Sequence, residues 1–287
     1  MHELTKLFEL FEIQETDVLL VHSSLKGLNF PKYININKLI ETMISFLYDG
    51  TLCMPAFDYM NVIDAHKTWS IDKSSGMGII SEIFRQKFAT HRSNNPTHSI
   101  ACIGTKAEFI TSQPLTDKRI GPFGNYCFSL DSAFDKLYQL KAKILFLGVD
   151  TRKNTFKHYV EYKFVNDVIN SMKDVSIKQD AVSELLTYDY ILNNSIKIPD
   201  GEVVPKKTGK VWPWSDSKDM ENEMIELGIL KSQKFNNTEV YLIDNSYVFS
   251  NWLYNKFYKE QAYINEAAKL WAKKYIDIIK ERGKTEC

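Results

Sequence analysis

Residues 142–161 read AKILFLGVDTRKNTFKHYVE: an apolar run closed by Gly148, followed at once by a segment with helical spacing. A short apolar run bounded by turn residues marks a strand buried on both faces, and the helix after it opens at that strand's carboxyl end. The same alternation recurs outward from this pair. DVLLVHSSL (17–25), TLCMPAF (51–57) and HSIACIG (98–104) are further apolar runs that meet polar or turn residues at one end. Helical spacing separates them, in residues 3–13 with Leu4, Leu7, Phe8 and Phe11 on one face, in 37–48, in GMGIISEIFRQKFA from Gly76, and in AEFITS and SAFDKLYQL. Strands alternating with helices predict an α/β fold with a central mixed, partly parallel sheet flanked by helices, which binds ligands beyond the carboxyl ends of its strands.

The pattern changes after residue 170. PDGEVVPKKTGK (199–210) and VWPW (211–214) predict a short β excursion, and two helical segments close the chain, one over 218–230 and a long one from Val248. The expected organisation is an α/β core over 1–170 and a C-terminal part over 171–287 packed on it, forming one structural domain overall.

Composition narrows the function. The 287 residues carry 36 Lys and Arg against 36 Asp and Glu, and the zero net charge argues against a dedicated nucleic-acid binder. Hydrophobic residues make up 44%, enough for a large core, yet no apolar run reaches the length of a membrane span. The acidic opening MHELTKLFELFEIQETD does not read as a targeting segment, so the expected location is the cytoplasm. Cys53, Cys102, Cys127 and Cys287 show no paired CxxC spacing, and His91 and His98 have no cysteine or carboxylate at a supporting spacing, so neither disulfides nor a metal site is expected. Neither a GxGxxG after a strand nor a GxxxxGK[ST] loop occurs, which sets aside classical dinucleotide and P-loop sites.

Three stretches can carry chemistry. His158 and Glu161 lie three apart on one helix face, a spacing that lets a carboxylate orient an imidazole and raise its basicity. The spacing alone is more simply that of a surface His and Glu; the position just beyond a strand's carboxyl end tilts the balance toward a general base. RSNNPTHS (92–99) crowds Arg92, Ser93, Asn95, His98 and Ser99 at the entrance of a strand, where a turn built on Asn-Asn-Pro is the simpler reading for Asn94. His22, Ser23, Ser24 and Leu25 follow the first strand, and two hydroxyls there can hold amide or phosphate oxygens, or one can merely cap a helix.

Read in order, VHSSL, GTLCMPAF, GMGIISEIFRQKFATHRSNNPTHSIACIG, SAFDKLYQLKAKILFLGVD and NTFKHYVE resemble the aminoglycoside 3-N-acetyltransferase family over roughly residues 17 to 165. The resemblance implies an acyl-CoA-dependent N-acyltransferase with a fold of its own, acting on a small-molecule amine as a monomer or homodimer, with acetyl-CoA or another acyl-CoA as co-substrate. It implies that His158 of Thr-x-x-His-x-x-Glu is the base and Glu161 its partner. It further implies that Ser23 and Ser24 lie by the cofactor and that the Arg92–Ser99 segment lines the cofactor and acceptor cleft; the expected cofactor contacts are His22, Ser23, Ser24, Leu25, Arg92, Ser93, Ser99 and Thr155, and Asp58, Tyr59, Glu82, Asn95 and His98 are acceptor-side candidates. Asn95 stands where family members usually carry histidine, and Ser132-Ala133 where a proline usually follows the serine. Expected acceptors are an amino sugar, including a nucleotide-linked one with Lys206, Lys207, Trp212 and Trp214 as its contacts, or an aminoglycoside; a non-catalytic carbohydrate- or nucleotide-binding protein is the reading from another class. A cysteine acyl-enzyme is disfavoured, because neither Cys102 nor Cys127 has a histidine partner visible in the sequence.

Overall fold

The computed structural model describes residues 2–30, 35–58, 62–112, 118–186, 195–197, 203–205 and 211–285. The apolar runs form β1 (Val18–Ser23), β2 (Thr51–Pro55), β4 (Ile100–Gly104) and β5 (Lys143–Leu147). A two-residue β3 (His91–Arg92) and a hairpin of β8 (Leu230–Phe235) and β9 (Thr238–Ile243) complete a seven-stranded sheet in the order β3-β4-β2-β1-β5-β9-β8. The central β2, β1 and β5 run parallel, whereas β3, β4, β9 and β8 join antiparallel, so the sheet is mixed as expected. A separate ribbon pairs β6 (Ser195–Lys197) with β7 (Val203–Pro205).

The continuous apolar runs follow from burial on both faces. In β1, Val18 and Leu20 enter one hydrophobic cluster while Leu19 and Val21 enter the other, and β5 divides Ile144 and Phe146 from Leu145 and Leu147 in the same way. The second cluster is covered by α1 (His2–Leu10), α2 (Ile36–Phe46) and α4 (Ile79–Lys87). The first lies under α5 (Ala107–Thr111), α6 (Ala133–Gln139) and α7 (Lys157–Asn170), and under the later helices α8 (Val175–Leu186), α9 (Ser217–Glu226), α10 (Ser246–Asn255) and α11 (Glu266–Thr285). Side-chain caps set several starts: Asn35 accepts from Lys38 N, Ser132 from Asp135 N, and Asn245 from Tyr247 N and Val248 N. Helix α7 buries Tyr159, Val160, Tyr162, Phe164, Val165, Val168 and Ile169, and it therefore carries Glu161 into the interior with them.

Several elements differ from the sequence reading. Residues before Gly76 form α3 (Val62–Thr68), a helix the sequence reading did not assign, and α8 adds another beyond residue 170, ahead of the expected β excursion. The segment 218–230 is not one helix: α9 stops before Gly228, which takes φ +70°, and the chain re-enters the sheet as β8. The long terminal helix is broken, because Gln261 (φ 49°) and Tyr263 (φ 61°) lie in the left-handed region that a right-handed helix cannot pass through. Among the described residues, no helix is long and apolar enough to cross a membrane. Tyr59, Lys206, Lys207 and Cys287 lie outside the described residues.

Candidate active site

The parallel strands β2, β1 and β5 end together at Pro55, Ser23 and Leu147, and antiparallel β4 begins opposite Pro55 at Ile100. Pairing therefore gathers Ser23 to Leu25, Ala56 to Asp58, the His98 turn and the start of α7 at one edge of the sheet. Strand order diverges on either side of β1, the place where open α/β sheets leave a crevice.

In that crevice His158 Nδ1 lies 2.8 Å from Glu161 Oε2. The His158 side chain is 16% exposed and that of Glu161 0%, so the imidazole keeps access to solvent while the carboxylate is wholly buried. Glu161 is held by more than its helix. Ser215 donates to Oε1 through its amide at 3.0 Å and its hydroxyl at 2.7 Å, and Trp212 Nε1 donates to Oε2 at 3.4 Å. Burial alone would raise the Glu161 pKa, but the charge and hydrogen bond of His158, together with Lys157 and Ser215, outweigh it and leave the pKa below its ordinary value. An ionised carboxylate only accepts hydrogen bonds. His158 Nδ1 must then carry a proton; in the neutral form of the ring the lone pair falls on Nε2, which has no partner among the described residues.

One helical turn before His158, Thr155 borders a cavity of about 610 Å³ that His22, Ser23, Ser24 and Leu25 also line, with Gly76, Met77 and Gly78 opposite. Gly78, at φ +103°, supplies the bend into α4 that a side chain would strain. Three polar atoms on this wall are enclosed without a partner among the described residues: His22 Nε2, Ser23 Oγ and Thr155 Oγ1. Unpaired buried polar atoms are costly and call for a ligand or water. Burial pushes the His22 imidazole down to about 3, so its ring stays neutral, stacked on Phe146 at 5.4 Å. Ser24 is partly engaged, its Oγ accepting from Gly27 N at 3.3 Å.

The RSNNPTHS residues are bonded inward rather than toward that cavity. Arg92 Nε donates to Ser99 Oγ, and its terminal nitrogens donate to the carbonyls of Ile71, Lys73 and Ala56, with Trp69 stacked at 4.7 Å. Ser93 Oγ accepts from Ile100 N at 2.9 Å, Ser99 Oγ donates to Ala56 O at 3.0 Å, and Asn95 Oδ1 accepts from Thr97 N and His98 N at 3.1 and 2.8 Å. Together they build the turn that delivers His98, whose ring stands 5.8 Å from that of His158. On the acceptor side, Asp58 is half-buried against Gly76, where an added Cβ would fall 2.2 Å from its Oδ1. Glu82 is occupied by Ser75 N, Arg85 and Gln86 at 2.6 to 2.8 Å. Phe123 and Trp214 flank the His158 ring at 5.2 and 5.6 Å. Trp212 is fully buried behind it.

Sequence reasoning missed Ser215 and Trp212 as supports of Glu161, and it missed a second pair: Cys127 Sγ lies 3.2 Å from His98 Nδ1, a partnership across 29 residues. Cys102 instead meets Cys53 across the β2–β4 register, and burial pushes its thiol well above the ordinary value.

A family model described as aminoglycoside 3-N-acetyltransferase matches residues 20–251. The chain belongs to the aminoglycoside 3-N-acetyltransferase family. Solved structures of similar fold include aminoglycoside acetyltransferase AAC(3)-IVa in complex with apramycin (a variant protein; 19% identity, TM-score 0.62, covering 91% of this chain and 92% of that one). The AAC-IIIb binary with CoASH matches at 15% identity and TM-score 0.59, covering 87% and 94%, and the YokD protein from Bacillus subtilis at 18% and 0.58, covering 90% and 94%. The family makes the protein an N-acyltransferase, and the matched span carries the likeness past the α/β strands into α10.

Proposed function

We propose that the protein transfers a short acyl group from acyl-CoA to the amine of an amino sugar within a ternary complex, with His158 as general base and Glu161 as the residue that aims it. The observation that carries this reading is the geometry of the dyad: His158 Nδ1 stands 2.8 Å from a wholly buried Glu161 carboxylate, a contact that in the neutral ring puts the proton on Nδ1 and leaves the lone pair to Nε2. The orphaned hydroxyls of Ser23 and Thr155, beside Gly76 and Gly78, suit the amide-bearing arm of an acyl-CoA, and Lys26 and Lys153 on the same wall suit its phosphates. When bound, acyl-CoA supplies an activated thioester carbonyl. Amines of the alkyl type have pKa values of about 10 and are mostly protonated near neutrality, so the attacking nitrogen must shed a proton. One proton leaves the ammonium for solvent and frees the lone pair; His158 Nε2 then takes a second from the nitrogen as the C–N bond forms, and returns it to the sulfur as the C–S bond breaks, leaving the ring neutral and no covalent enzyme species. Arg92, Ser93, Asn95 and Ser99 act in this reading by shaping the turn beside the base.

An aminoglycoside acceptor is the reading that family membership favours. The test is a screen of aminoglycosides and nucleotide-linked amino sugars for CoA-thiol release with acetyl-CoA. Release matched by N-acylated product is the expected result; a protein that binds CoA yet releases thiol with no amine in either class overturns the proposal and leaves a binding protein.

A further inference from the structure

His98 differs from His158 in every respect that decides what an imidazole can do. It is buried, packed by the rings of Phe57, Phe123 and Phe128 at 4.7, 4.5 and 4.9 Å, and its backbone is pinned by Asn95. Its Nδ1 does not meet a carboxylate; it meets Cys127 Sγ at 3.2 Å. Asn95 Oδ1 lies farther from that sulfur, at 3.6 Å, and already accepts two amide hydrogens, while Thr97 Oγ1 at 3.3 Å can itself donate. Sulfur is a weak acceptor and an imidazole nitrogen a good one, so the thiol hydrogen belongs on the line to Nδ1. The other nitrogen, Nε2, then carries the ring proton, and it has no partner among the described residues. The two imidazoles therefore have opposite polarity, with His158 offering a lone pair and His98 an N–H. Their ring centres stand 5.8 Å apart at 74°.

Resting on the acyltransferase reading above, we propose that His98 Nε2–H is the hydrogen-bond donor for the thioester carbonyl oxygen as negative charge gathers there, and that Cys127 is the positioning residue that fixes this tautomer. Burial, and next the charge of His158, hold the His98 pKa well below its ordinary value, so the ring remains neutral while His158 takes up a proton beside it. A neutral donor that costs no reorganisation is the kind that counts for most in a water-poor site. No proton leaves His98 and no bond to it forms.

The test is nitrogen-15 NMR of the whole protein with labelled histidine. His98 is expected to show a proton on Nε2 and an accepting Nδ1, unchanged between about pH 5 and about pH 8, and its Nε2 proton is expected to shift when S-acetonyl-coenzyme A, a ketone stand-in for the thioester, binds. Cys127→Ala is expected to mix the tautomers in these spectra, whereas Cys127→Ser, which keeps a donor, preserves them. His98→Leu is expected to lower kcat by about a hundredfold or more with the acyl-CoA KM nearly unchanged, and His98→Gln, which keeps an N–H near the place of Nε2, to recover most of the loss. A wild-type ring with its proton on Nδ1, or a folded His98→Leu with nearly full kcat, overturns the inference while the acyltransferase reading stands; the spectra decide if the variants do not fold. A wild type that releases no thiol overturns both.

Discussion

Replacing Glu161 by Gln turns one carboxylate oxygen into an amide nitrogen, and the surroundings dictate how that amide sits. Ser215 N–H faces Oε1 from 3.0 Å and cannot turn away, and the Ser215 hydroxyl adds a second bond of 2.7 Å, so the amide oxygen must take that place. The NH₂ group then faces His158 Nδ1, 2.8 Å away in the native site, where a proton already stands. Two donors cannot share that contact. The ring relieves the conflict by moving its proton to Nε2, and the lone pair the reaction needs is lost from the crevice. In Ser-His-Asp triads the matching Asp→Asn change costs about 10⁴ in kcat, and a fall of about 10³ to 10⁴ is expected here, worth about 4 to 5.5 kcal/mol of barrier. Thiol release at saturating acyl-CoA reads kcat, the acyl-CoA KM should stay within about threefold, and circular dichroism checks the fold. A folded Glu161→Gln protein with kcat within about tenfold of wild type would refute the reasoning.

Acid should destabilise the protein through buried histidine. His22 is held to about 3 in the fold and returns to 6.5 when unfolded, so below 6.5 only the unfolded chain binds the proton. Stability from this group is complete above 6.5 and falls by about 1.4 kcal/mol per pH unit toward the folded value, with His98 adding a slope of the same sign. Urea midpoints at about pH 7 and about pH 5 should show the fall, and His22→Gln should flatten it; equal midpoints would contradict the burial argument. Ser23→Ala and Thr155→Val remove hydroxyls that lack partners, so each should leave the melting temperature of the free protein level or higher while raising the acyl-CoA KM about tenfold; a lower melting temperature with unchanged KM would remove them from the cofactor site. Gly121→Ala would place a Cβ 2.1 Å from Tyr162 Cζ, and because Tyr162 Oη accepts from Phe123 N at 2.7 Å, the strain should reach the ring beside His158. A loss of about 1 to 3 kcal/mol in urea unfolding is expected, and a neutral result would show that Tyr162 moves freely.

What the sequence revealed was local. The apolar runs of β1, β2, β4 and β5 and the three-residue spacing of His158 and Glu161 are visible because burial on both faces and the helical period act within a few residues. Contacts across the chain left little trace: Ser215 reaches Glu161 over 54 residues and Cys127 reaches His98 over 29. The hydrogen bonds of Arg92 to three backbone carbonyls likewise depend on the path of a loop that residue types do not specify. The β8–β9 hairpin did carry a signal, since Asn236-Asn237, at φ 48° and 59°, is the dipeptide type that tight hairpin turns favour, set between β8 and the apolar-alternating β9. Its alternation in β8 is weak because this is an edge strand with Lys231 and Lys234 among its exposed or half-exposed positions, and the helical pattern just before it overran the boundary.

The most direct measurement is thiol release by His158→Ala beside its affinity for CoA, with an acceptor that the wild type acylates. Loss of amine-dependent release by about a hundredfold or more, with CoA binding intact by calorimetry, is the outcome this mechanism requires. Release at close to the wild-type rate from a variant that still binds CoA would mean that another group takes the proton.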